Sequence, residues 1–473
     1  MPQDPLHHLG EFGASLMWND IPAAVRHRAA LALRDTIGTM YGGSTTRAAR
    51  IGAEVAAADS GMHPIVGRDA RASCQQAAFA NAVAASALDF DDGHYAGGAI
   101  HPASVIVSTL ITAACDPQAE VIDLRSLLVA QVVGYEIGLR AAHLLWPKHV
   151  DDDYHCTGTA ATLGAAAALA RLWGLDADGI ARSIAIAWAH APMATFQLPM
   201  VKESIGWSAA TAVTAVRLAR AGFMSMSGGS PRAVPDVFPP TPFHRAGVMT
   251  DPFVASLGTV FEAGNTYFKP YASCRYTHAP AAALKRLLDE HGISPDDAET
   301  IESIEVGTHR GAVFLADRRP PSLEHAQYSF PFVLGAIVLH GAAGAAEMND
   351  NCLTDVRRLA FAERVTVRHD PAMDDLYPQH YAGTITVRTT DGSVVRATGI
   401  VAPGDPAQPM TGAELEAKFL RLMAVASVDS AQAHKISAAI MSPDAAGLAS
   451  EILGGGSGDG HGGLPKLAVI PRA

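Results

Sequence analysis

Three histidines share one local grammar. His101 is followed by Pro102 and a helical run, His155 stands just ahead of Thr157, and His278 lies two residues before Pro280 and a run through Leu288. Proline in a first turn and threonine at a cap mark helix N-termini, where unpaired N–H groups and the macrodipole favour anions over a protonated ring. A histidine so placed is neutral and able to act as a base. For any one of the three, a structural hydrogen bond in a loop is the plainer explanation; their repetition favours chemistry. Lysine is rare, seven against 28 arginines. Two of the lysines, Lys202 in FQLPMVKESIGW and Lys269 in NTYFKPYASCRYTH, sit among aromatic and aliphatic neighbours. A compact ammonium in such surroundings can clamp a carboxylate, although a snorkelling surface lysine reads the same way. The segment LDFDDGHYAGGAIHPAS then places Asp89, Asp91 and Asp92 ahead of a Gly-rich turn and His101. These carboxylates can orient or charge a histidine, or cap the helix that follows. A metal site is not expected there, because the spacing is neither H-E-x-x-H nor that of an EF-hand loop.

These side chains need elements to hold them. Up to about residue 225 the chain is Ala-rich with helical period, predicting helices through Met40 and over 72–87, 103–115, 124–145, 159–173 and 208–221. Asn19-Asp20-Ile21-Pro22 is expected to start the first and Gly42-Gly43 to end it. Small residues, as in Gly164-Ala165-Ala166-Ala167-Ala168, predict close helix packing in one all-helical domain. From residue 268 the pattern alternates: Glu302–Val306, Arg364–Arg368, Thr384–Thr389 and Ser393–Thr398 read as strands, the last two joined at Asp391-Gly392 by an expected type I′ turn. After Pro403 the pattern returns to helix at a Thr411–Glu414 capping box, and GGGSGDGHGG near the end reads as a flexible tail. The expected organisation is mainly α with an inserted α+β part: helical domain 1–267, α+β lid 268–403, helical return segment 404–453 and tail 454–473.

Composition narrows the function classes. At 473 residues, 49% hydrophobic and 17% charged, the chain has material for a large core. Its formal charge of −12, without a basic run, argues against nucleic acid. The first residues lack the basic n-region of a targeting peptide, and the longest apolar stretch, 183–201, is interrupted by His190, Pro192 and Pro199, so no membrane span is expected. Five scattered cysteines without C-x-x-C suit a reducing cytoplasm. Gly42-Gly43 and Gly228-Gly229 lack the strand and helix context of a dinucleotide site.

Several segments together resemble the MmgE/PrpD family over nearly the whole chain, to about residue 450: IPAAVRHRAALALRDTIGTMYGGS, ALDFDDGHYAGGAIHPAS, YHCTGTAATLGAAAALARLWGLD, VKESIGWSAATAVTAVRLARAGF, KPYASCRYTHAPAAAL and PMTGAELEAKF. The resemblance implies a helical domain built from both chain ends, an inserted α+β lid, a homodimer, and chemistry without a metal or organic cofactor. Matched residue by residue, the family's active-site Asp and His fall on Asp89 and His101, its next His on His155, and its lysines on Lys202 and Lys269. Family members include dehydratases, epimerases and cis-aconitate decarboxylases. Where the decarboxylases carry Thr, His and Tyr, this chain has Gly93, Cys274 and Phe332.

The expected function is therefore cofactor-independent proton abstraction next to a carboxylate of a di- or tricarboxylic acid, as in 2-methylcitrate dehydratase or iminodisuccinate epimerase. Asp89, His101, His155 and Lys202 are the catalytic candidates, with His101 as base oriented by Asp89. Lys269, Arg275, Cys274 and His278 are the substrate-binding candidates. The alternatives are a catalytically silent carboxylate-binding or scaffold homologue, and a cis-aconitate decarboxylase.

Overall fold

The computed structural model describes residues 4–115, 122–152, 154–193, 202–223, 241–245 and 247–443. Gly228-Gly229, the Gly-rich tail and residues 194–201 of the longest apolar stretch lie outside them. Buried hydrophobic side chains gather in two large clusters. One spans Leu6 to Phe268 and takes in Leu415, Phe419 and Ile436 from the returning chain; the other spans Tyr271 to Val387 and takes in Leu88, Phe90 and Leu422. The architecture is mainly α with an α+β part, as expected.

Helices Leu124–Leu145 and Cys156–Leu172 form the centre of the first cluster. They approach closely because glycines face each other: a Cβ at Gly164 would lie 2.4 Å from the Gly134 carbonyl oxygen. Around them lie helices Pro102–Ala114, Cys74–Ser86 and Lys202–Arg220. The helix expected to stop at Gly42-Gly43 ends there, spanning Ala23–Gly43, with Pro22 rather than Asn19 or Asp20 at its cap. The glycines serve packing: a Cβ at Gly43 would meet the Ala84 carbonyl oxygen at 2.0 Å. Helices Pro5–Ser15 and Arg47–Ala57 were not expected from the sequence pattern, whereas Ala177–Ala189 takes in the start of the 183–201 stretch, which reads as buried helix plus loop.

The second cluster packs on a four-stranded sheet ordered Val365–His369, Ile301–Thr308, Gly383–Thr389, Val394–Gly399. The first two strands pair in parallel and the other neighbours antiparallel. The last two join through a turn in which Gly392 has φ +89° while Asp391 does not enter the left-handed region. Gly392 N–H donates to the Thr389 carbonyl and Thr389 N–H to that of Ser393. A type I′ turn needs positive φ at both central residues, so this is a three-residue connection with a left-handed glycine. The Thr411–Glu414 capping box stands as expected at the head of helix Gly412–Val425. Among the described residues no helix is long and apolar enough to cross a membrane.

One buried ion pair fixes the segment that leads to Lys269. Arg140 Nη1 meets Glu136 Oε2 at 2.6 Å, with both side chains fully buried. Arg140 also donates to the Ser256 hydroxyl and the Val260 carbonyl, while Glu136 accepts from Ala263 N–H. Removing one member of such a pair strands the other charge in the interior and costs about 3–5 kcal/mol. Arg140→Met should lose stability of that order in urea unfolding; a change under about 1 kcal/mol would show that the pair does not hold this segment.

Candidate active site

The site is built on the loop that follows helix Cys74–Ser86. Asp89 takes φ 49°, a left-handed conformation uncommon outside glycine, and its carboxylate is almost fully buried. Two lysines from distant parts of the chain converge on it: Lys202 Nζ at 3.4 Å and Lys269 Nζ at 3.2 Å from Oδ1. Burial alone would raise the Asp89 pKa, but Lys202 and Lys269 outweigh it and hold the carboxyl below its usual range. Lys269 is also 4.0 Å from Asp91 and donates to the Asp89 carbonyl at 2.9 Å.

The loop's carbonyls are taken up one after another. Lys418 Nζ donates to Phe90 O at 2.7 Å while pairing with Asp35 at 2.7 Å. Gln327 donates to Ala87 O, and the ring of His101 to Asp92 O. The Asp92 carboxylate accepts from the Tyr135 hydroxyl at 2.7 Å and from Ala103 N–H at 3.1 Å. Burial, together with Asp91 nearby and against the Tyr135 hydrogen bond, pushes its pKa up to about 7.

The three histidines do stand at helix starts. His101 caps helix Pro102–Ala114, His155 caps helix Cys156–Leu172, and His278 opens helix His278–Glu290. Thr157, expected as a cap, lies inside its helix, and its hydroxyl accepts from His101 N–H at 3.1 Å. The rings of His101 and His155 stack at 6.3 Å and 20°. Their tautomers differ. His101 Nδ1 lies 2.8 Å from the Asp92 carbonyl, an oxygen that can only accept, so Nδ1 carries the proton and Nε2 the lone pair. His155 Nδ1 accepts from Thr157 N–H at 3.2 Å, so in the neutral ring Nε2 carries the proton. Asp92, not Asp89 as expected, thus orients His101. Burial and then Lys269 lower the His101 pKa; burial and then His101 lower that of His155 to about 3.

The remaining candidates divide. The Arg275 guanidinium is engaged by protein groups: Asp405 at 3.6 Å, the Tyr95 hydroxyl at 3.3 Å, the Pro403 carbonyl at 3.3 Å and His278 Nδ1 at 3.4 Å. His278, fully buried, donates from Nε2 to Ser273 O at 3.1 Å and supports Arg275. Through Arg275 this segment is tied to Tyr95, Pro403 and Asp405. Burial pushes the Cys274 thiol up to about 12, leaving it neutral. Phe332 is buried in the second hydrophobic cluster. Sequence reasoning passed over Asp35, Tyr135, Tyr267 and Lys418. Lys418 lay inside a quoted segment, and Tyr267 stands two residues before Lys269. Among the described residues no group of three His, Cys, Asp or Glu side chains could hold a metal.

Comparison with known proteins gives a consistent placement. Residues 7–229 match the MmgE/PrpD N-terminal domain and residues 271–442 the MmgE/PrpD C-terminal domain. A cis-aconitate decarboxylase of Aspergillus terreus (strain NIH 2624 / FGSC A1156) is 23% identical over 457 residues, 92% of each chain. One from Homo sapiens is 26% identical over 417 residues, 81% of this chain and 80% of its own. One from Mus musculus is 26% identical over 361 residues, 72% and 70%.

The histidine environments set a pH dependence of stability. His101 and His155 have folded pKa values below the free value of 6.5, so below that pH the unfolded chain binds more protons than the folded one. Their contribution to stability is complete above pH 6.5 and is lost as pH falls toward about 3. Urea unfolding of wild type and of a His101→Asn, His155→Asn double variant should show a weaker decline between pH 6.5 and 4 in the variant. Parallel declines would place both rings in solvent-like surroundings.

Proposed function

We propose that this chain, which belongs to the MmgE/PrpD family, is a lyase or epimerase that removes a proton from the carbon next to a carboxylate of a di- or tricarboxylic acid. The observation that carries this reading is the stacked pair of histidines of opposite tautomer, His101 buried and His155 half-buried, beside two lysines on one aspartate. Lys202, with one partner at 3.4 Å among the described residues, keeps donors for a substrate carboxylate. His101 Nε2 takes the proton, and the C–H electron pair moves into an enediolate-like anion. The neutral His155 Nε2–H then donates a hydrogen bond to that anion, as a fixed donor placed where charge develops. The proton goes next to a leaving hydroxyl, giving water and an alkene, or back to the carbon. Lys269, locked on Asp89, keeps positive charge at the site. We propose further that the protein works as a cytoplasmic homodimer; no disulfide links its five cysteines.

Decarboxylation of cis-aconitate is the second reading, favoured by the names of the three relatives given above. The first is supported over it by Gly93 and by a neutral Cys274, which is a poor ionic partner for a carboxylate. Incubation in heavy water with citrate, 2-methylcitrate and amino-dicarboxylates, followed by NMR, should show deuterium entering next to a carboxylate. Efficient conversion of cis-aconitate to itaconate and CO₂, without such exchange, would establish the second reading.

Two variants test the assigned roles. His101→Asn should lower turnover by roughly 10²–10⁴-fold, the span typical of a general base; near wild-type turnover would remove His101 from the mechanism. Lys202→Met should raise KM at little cost in thermal stability, and unfolding of this variant would make the lysine structural.

A further inference from the structure

Tyr267 is fully buried, and its hydroxyl has no hydrogen-bond partner among the described residues. A buried hydroxyl left unpaired is unfavourable, so such a group calls for an explanation. Its place supplies one. Tyr267 N–H donates to the Gly93 carbonyl at 2.7 Å and Gly93 N–H to the Tyr267 carbonyl at 3.0 Å, which fixes the residue beside the aspartate loop. The hydroxyl end of the ring lies over Gly93: a Cβ there would sit 2.3 Å from both Cζ and the hydroxyl oxygen. The same ring stands edge-on to His101 at 6.4 Å, and the Arg275 guanidinium covers its face at 4.2 Å. Gly93, which offers no side chain in the LDFDDGHYAGGAIHPAS segment, is therefore the residue that makes room for a phenol.

We propose that Tyr267 contacts the substrate, donating its O–H hydrogen bond to an anionic oxygen of the bound carboxylate. This rests on the carboxylate-site reading above. Arg275 over the ring brings positive charge to the phenol. Burial disfavours a phenolate and outweighs Arg275, with Tyr95, Asp91 and Asp89 acting in the same direction as burial, so the group stays a neutral donor. A donor of this kind strengthens binding of an anion without adding charge.

The test uses Tyr267→Phe, which keeps the ring and removes only the oxygen, with Lys202→Met as a reference. Binding of citrate, cis-aconitate and succinate is measured by calorimetry, and the melting temperature is taken without ligand. Tyr267→Phe should keep or raise the ligand-free melting temperature while weakening the best-bound probe roughly 10–100-fold, the range for a hydrogen bond to a charged group. Binding within twofold of wild type, with Lys202→Met clearly weakened, would overturn the role of Tyr267 and leave the carboxylate site standing. A wild type that binds none of the three would overturn both. A Tyr267→Phe protein with a much lower ligand-free melting temperature would make the hydroxyl structural and also overturn the proposal.

Discussion

The site depends on Asp89. Two ammonium groups cannot be brought into an apolar interior without a counter-charge, and this one carboxylate meets Lys202 and Lys269 together. The lysines come from the head of helix Lys202–Arg220 and from the segment between the first buried cluster, which reaches Phe268, and the second, which includes Tyr271, so their shared partner lies where the two clusters meet. The left-handed backbone at Asp89 is part of the same constraint: it turns the loop so that successive carbonyls face inward, where Lys269, Lys418 and His101 take them.

From that loop the histidine chemistry follows by hydrogen-bond logic alone. A carbonyl cannot donate, so the Asp92 oxygen fixes the His101 proton on Nδ1; a backbone N–H cannot accept, so Thr157 fixes the His155 lone pair on Nδ1. Two identical side chains are thereby given complementary roles, one able to take a proton and the other able to stabilise the charge that results. Burial keeps both uncharged. Lys418 and Asp35, from the two ends of the chain, support the loop from the opposite side, which gives the returning C-terminal segment a part in the site's geometry.

Much of this was legible in the sequence, for identifiable reasons. Helix starts at His101, His155 and Thr411 carry local signals within a few residues, and Lys202 and Lys269 stand out as rare charges in apolar text. The four strands of the larger sheet carry alternation, whereas the paired two-residue strands His63–Pro64 and Arg71–Ala72 are too short to show any. What escaped was long-range. Lys418 reaches Phe90 across 328 positions, and Tyr267 meets Gly93 through a backbone bridge that no periodicity marks. Gly42-Gly43 marks a stop because glycine weakens a helix, and the helix does end at Gly43; its close packing against Ala84 carries no local signal. Arg275 had the type of a carboxylate clamp, but its donors are engaged by Tyr95, Pro403, His278 and Asp405, partners that its own segment supplies only in part.

The central claim is that the two site histidines are neutral and of opposite tautomer. Nitrogen-15 NMR of the ring resonances, assigned through His101→Asn and His155→Asn, reads this directly at neutral pH. The account predicts His101 protonated on Nδ1 and His155 on Nε2, with neither ring an imidazolium; a shared tautomer, or a charged ring at either position, would contradict it.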